Sequence, residues 1–127
     1  MDGTDAHGTG SAGFVRALGE RAVVLDGGLS NELEAAGHGL ADALWSARLL
    51  RDEPAALTEA HRAYAEAGAE VATTASYQAS FEGFARHGID AARTRELLAL
   101  SVTAARAAGS RWVAASRGPV RRDARGR

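Results

Sequence analysis

The 127-residue sequence has no cysteine, no lysine, only two prolines and seven aromatic residues. The missing cysteine excludes disulfides, thiolate catalysis and any cysteine-ligated metal centre built from this chain alone. No apolar run approaches the ~20 residues that cross a bilayer, so no membrane partner is expected. Few aromatics, and neither a zinc nor a helix-turn-helix pattern, argue against a nucleic-acid partner. Every basic residue is arginine and thirty residues are alanine, the mark of GC-rich coding. The chain is 46% hydrophobic and 24% charged with a formal net charge of −1, a composition typical of globular domains. Its length suits one domain, since domains commonly run ~100–150 residues.

Charge is unevenly placed. Residues 117–127 hold five arginines against Asp123, a balance of +4, which leaves −5 for residues 1–116. Short arginine runs are ordinarily solvated chain. Residues 1–13, MDGTDAHGTGSAG, are small and polar and read as a disordered tail. Asp2 and Asp5 stand where a signal peptide needs basic residues, and no apolar stretch follows, so a cytoplasmic location is expected. Gly8, Gly10 and Gly13 have the spacing of the dinucleotide fingerprint. That motif works only between a strand and a helix, and no strand precedes it here.

Beyond this tail the pattern alternates. Residues 22–25 form an apolar run ended by Asp26-Gly27-Gly28, which predicts a buried strand and a sharp turn. Ser30 is placed to cap a short helix that stops at Gly37. Residues 44–50 read as helix, and Pro54 opens another that ends at Gly68 and carries Leu57, His61 and Tyr64 on one face. Residues 71–75 predict a second strand. Phe81 and Phe84 sit on a short helix ending at Gly88, Asp90 caps a long helix to residue 108, and residues 112–115 predict a third strand. This alternation implies an α/β fold with a parallel sheet.

In such folds the ligand lies beyond the carboxyl ends of the strands. Three segments occupy that position: Asp26-Gly27-Gly28, residues 73–78 (TTASYQ) and residues 116–119 (SRGP). Asp26 can pair an amino acid's ammonium, with the Gly27 and Gly28 amides facing its carboxylate, and the glycines allow positive φ and close ligand approach. Equally, Asp-Gly-Gly suits an ordinary strand-to-helix turn. Tyr77 and Gln78 offer a polar rim and Trp45 an apolar or cation-facing wall, or the two aromatics pack within the domain. The four histidines, His7, His38, His61 and His87, lack metal-ligand spacing and read as surface or helix-face residues.

Residues 23–34 (VVLDGGLSNELE), 44–50 (LWSARLL), 61–64 (HRAY), 67–69 (AGA), 73–81 (TTASYQASF) and 114–116 (AAS) together resemble the homocysteine S-methyltransferase family. The resemblance implies a (β/α)8 TIM barrel, which needs ~250 residues. This chain would hold its first three strand–helix units, truncated, with a domain over residues 14–119 and a basic tail over 120–127. It further implies methyl transfer from a sulfonium donor, S-methylmethionine or S-adenosylmethionine, to homocysteine, giving methionine. Asp26 would grip the homocysteine ammonium, and Asp26, Gly27, Gly28, Thr74, Ser76, Tyr77 and Gln78 are the expected substrate-binding residues.

In the family a zinc ion held by cysteines ionises the homocysteine thiol, whose pKa of ~8.5 keeps it protonated at neutral pH. Those cysteines lie in the second half of the barrel, so no catalytic residue, metal ligand or bound cofactor is expected in this chain, and it is expected to be inactive alone. The alternative is a non-catalytic amino-acid-binding or interaction module. After the third strand the family typically reads SVGPYGA where this chain has SRGPVRRDAR. Suitable codons for residues 120–125, shifted by one base, encode YGAML, which suggests a frameshift near Pro119. Three units alone leave open sheet edges, so self-association is expected.

Overall fold

The computed structural model describes residues 10–42, 44–77 and 79–117. Helices dominate: α1 (Ser11–Glu20), α2 (Leu29–Ala35), α3 (Trp45–Asp52), α4 (Pro54–Glu66), α5 (Phe81–Ala85) and α6 (Ala91–Ala107). The strands are β1 (Val71–Thr73) and β2 (Trp112–Ala114). β1 and β2 pair in parallel, with Val71 opposite Trp112 and Thr73 opposite Ala114. Leu25 adds one parallel bridge to Val71, so β1 lies between the Leu25 segment and β2.

Several boundaries differ from the sequence expectation, each for a local reason. α1 begins at Ser11, inside the stretch read as a tail, because Ala17 and Phe14 give that helix an apolar side against Val71 and Trp112. The Phe14 and Trp112 rings meet edge-to-face with centroids 5.5 Å apart. The first predicted strand contracts to the Leu25 bridge. With a neighbour on one side only, Val24 and Leu25 stay 54% and 61% exposed. α2 is capped by Gly28 rather than Ser30, with no side-chain cap bond. Asp90 does cap α6, its Oδ1 accepting the Arg93 N–H at 2.8 Å. Gly37, Gly68, Gly88 and Gly109 all adopt positive φ, the left-handed stop that glycine supplies after a helix.

The main core gathers Leu33, Leu49, Leu50, Leu57, Phe84 and Leu97 from five helices. This packs α2, α3 and α6 about α4, with α5 on α6, and both α4 and α6 lie against β1. No helix among the described residues is long and apolar enough to cross a membrane.

Glu70, just before β1, ties the Leu25 segment in place. Its carboxylate accepts from the Arg21 guanidinium and, at 3.0 Å, from the Val24 N–H. The Arg21 bond first, then the Val24 bond, hold this carboxyl at about 2 against an ordinary 4.5. A depressed carboxyl stabilises the fold above its unfolded value, and that contribution fades as pH falls from 4.5 towards 2. Glu70→Gln is therefore expected to flatten the acid side of the stability curve. Denaturant titrations at several pH values would read it: the deficit of the variant against wild type should shrink between about pH 6 and about pH 2.5.

Candidate functional site

The strand ends converge as the parallel fold requires. The Asp26 N–H donates to the Val71 carbonyl at 3.1 Å, which brings the residue to the side of β1. Its carboxylate is then held by one residue: the Thr73 N–H donates to Oδ2 and the Thr73 hydroxyl to Oδ1, both at 2.8 Å. Two donors fix the carboxylate's plane while each oxygen keeps a further lone pair. Asp26 is half-buried.

Beside it, Gly27 and Gly28 carry the chain into α2 without positive φ, contrary to the sequence expectation: the positive-φ glycines among the described residues lie elsewhere. Glycine is required at position 27 for a different reason. A Cβ there would stand 2.9 Å from the Tyr64 ring. At position 28 a Cβ would meet the Asn31 side-chain amide at 2.9 Å, whose flexible end can yield more readily than a packed ring.

Past β1 the chain closes a ring of hydrogen bonds. The Ser116 N–H donates to Thr74 Oγ1 at 2.9 Å, and the Ser76 hydroxyl donates to the Ser116 carbonyl at 2.8 Å. Thr74 and Ser76 hydroxyl oxygens lie 2.6 Å apart. Since the Ser76 proton is committed to Ser116, Thr74 is the donor in that third bond. Thr74 and Ser76, 3% and 4% exposed, thus splice the end of β1 to the end of β2.

A cavity of about 480 Å³ opens above these elements, lined by Gly27, Gly28, Leu29, Ser30, Trp45, Ser46, Thr73, Thr74, Ala75, Tyr77 and Ser116. Of the expected substrate-binding residues it collects Gly27, Gly28, Thr74 and Tyr77. Asp26 stands directly behind it, covalently joined to Gly27 and hydrogen-bonded to Thr73. Ser76 lies beneath and braces Thr74, and Gln78 falls outside the described residues. Tyr77, 62% exposed, is wall rather than core, whereas Trp45 lines the cavity and also packs against the main core. Thr73 belonged to the candidate segment 73–78 and Ser30 was read as a helix cap, but neither they nor Ser46 were expected to bind substrate. Alternation along a strand gives Thr73 and Thr74 opposite faces, and nothing local marks the first as the partner of Asp26. A groove of about 470 Å³ between α2 and α4, lined by Glu32, His38, Glu59, Arg62 and Glu66 among others, contains none of the strand-end residues.

Under the site, His61 on α4 is 1% exposed, and neither ring nitrogen has a hydrogen-bond partner. Burial pushes this imidazole below its ordinary 6.5, with the Asp26 charge pulling the other way. Lowered from that value, it is neutral at pH 7. As for a metal, the chain has no cysteine. Among the described residues no group of three or more His, Asp or Glu could hold an ion. These donors do not fit a zinc site.

The chain matches the family model described as homocysteine S-methyltransferase over residues 23–124. Among curated relatives it is 49% identical over 83 residues to Homocysteine S-methyltransferase YbgG of Bacillus subtilis, covering 65% of this chain and 26% of the relative. It is 47% identical over 92 residues to Homocysteine S-methyltransferase of Escherichia coli, covering 72% and 30%. The chain therefore spans between a quarter and a third of the relatives' length. The solved structure of the homocysteine methyltransferase MmuM from Escherichia coli in its oxidized form superposes with a TM-score of 0.77 at 44% identity, covering 83% of this chain and 40% of that one. The metallated form gives 0.74 at 43%.

Proposed function

Because the chain belongs to the homocysteine S-methyltransferase family, we propose that it forms the acceptor-binding part of a methyltransferase site, built on the first three strand–helix units of a (β/α)8 barrel. The single observation that carries this is the Asp26 carboxylate, fixed by two Thr73 bonds behind the cavity at the strand ends. A carboxylate so held meets an ammonium without reorganising, which is the condition for tight, oriented binding. The Gly27 and Gly28 amides stand beside it for the amino acid's carboxylate. The homocysteine side chain then extends along the polar floor of Thr73 and Thr74. Trp45 and Tyr77 supply aromatic faces suited to a sulfonium cation.

In the reaction a new sulfur–methyl bond forms on homocysteine as the methyl–sulfonium bond of the donor breaks. The donor leaves as a neutral thioether, which needs no proton, while the homocysteine thiol must lose one. Among the described residues no carboxylate, imidazole or amine lines the cavity to take it, and the one carboxylate that adjoins it, Asp26, is occupied by the ammonium. This chain's residues bind and orient the acceptor, and ionisation of its sulfur falls to groups outside them. The chain alone is accordingly expected to bind L-homocysteine and to make no methionine.

Isothermal calorimetry with L-homocysteine, alongside a methyl-transfer assay using S-methylmethionine, separates the outcomes. Saturable binding with no turnover is the expected result. Absent binding would overturn the acceptor-site reading, and turnover proportional to the concentration of this chain would overturn the division of labour.

A further inference from the structure

The Asp26–Gly28 turn is tied to β1 at its first residue, by the Asp26 backbone bond to Val71 and the two carboxylate bonds to Thr73. At its other end the Gly28 carbonyl accepts long bonds from the first turn of α2, 3.2 Å from the Asn31 N–H and 3.5 Å from the Glu32 N–H. The short bond there is of another kind. The Tyr64 hydroxyl, from α4, donates to the Gly28 carbonyl at 2.8 Å across 36 residues of sequence. The same phenol ring fills the space where a side chain at position 27 would stand. One aromatic residue therefore both occupies the inner side of the turn and bonds its far end.

We infer that Tyr64 is a positioning residue for the amino-acid site: it sets where the Gly27 and Gly28 amides stand relative to the Asp26 carboxylate, and so the spacing at which ammonium and carboxylate are received together. This rests on the acceptor-site reading above. Tyr64 does not line the cavity and acts through the two glycines. The spacing between the two charged ends of an α-amino acid is fixed by its covalent geometry. A turn free to shift at one end holds one charge well and the other poorly, and binding weakens even though no contacting group has been removed.

Tyr64→Phe keeps the ring against Gly27 and deletes the hydroxyl. In the full chain it is expected to raise the calorimetric Kd for L-homocysteine about 3- to 10-fold, the worth of one neutral hydrogen bond. The melting temperature should fall by only a few degrees, the worth of that bond to the fold, and amide exchange should accelerate at Gly28 and Leu29 without change at Thr73. A Tyr64→Phe variant that binds L-homocysteine as wild type does overturns the inference, and so does one that loses melting temperature while keeping its affinity. Wild-type chain that binds no L-homocysteine is a different failure: it removes the acceptor-site reading first and the inference with it.

Discussion

Asp26→Asn is expected to weaken binding of L-homocysteine about 10- to 100-fold, because it removes a charge-assisted hydrogen bond to the ammonium, worth some 1.5–3 kcal/mol. The exchange is nearly isosteric. The asparagine carbonyl can still accept the Thr73 N–H, and the Thr73 hydroxyl can rotate to accept from the new amide. The turn should keep its shape, and circular dichroism and melting temperature should report little change. Calorimetry of the two proteins side by side reads the effect. Equal affinity would remove Asp26 from the site and with it the main support for an amino-acid ligand. The effect should exceed that of Tyr64→Phe, since the carboxylate would touch the ligand and the tyrosine only places the groups that do.

Phe84→Ala is expected to be the most destabilising of the single changes considered, lowering the unfolding free energy by about 3–5 kcal/mol. Phe84 is completely buried and sits in the cluster with Leu33, Leu49, Leu50, Leu57 and Leu97. Among the described residues it is the largest fully buried side chain, and it comes from a five-residue helix. Its own helix is too short to persist without it, so the hole cannot simply close around an intact element. For a domain of this size the drop corresponds to a fall in melting temperature of at least about 12 °C. A loss under about 1 kcal/mol in a urea titration would mean that α5 is not anchored as described. Because the same cluster seats α3, the Trp45 wall of the cavity should loosen with it.

The sequence made the helices legible where termination chemistry is local. Gly37, Gly68, Gly88 and Gly109 each sit at a left-handed stop, and Asp90 caps as its spacing predicted. Pro54 opens α4 as expected. What could not be read locally are contacts between residues far apart in the chain. Thr73 and Asp26 are 47 positions apart, and Tyr64 and Gly28 are 36 apart. The glycines of the turn were read as residues that allow positive φ, and they do not adopt it. Their backbone angles are ordinary, and at position 27 it is a tyrosine ring arriving from another helix that forbids a side chain. α1 was missed altogether, in part because small residues such as Ser11, Ala12 and Gly13 carry no periodic signal. The apolar partners that give the helix its side begin only at Phe14.

The ring of Thr74, Ser76 and Ser116 is made of hydroxyls, a peptide N–H and a carbonyl, none of which gains or loses a proton between mildly acidic and alkaline conditions. The base of the cavity is thus titration-silent, with the same shape at either end of that range. Any change in ligand uptake across that range must then arise outside this ring, the amino acid's own amino and thiol groups included.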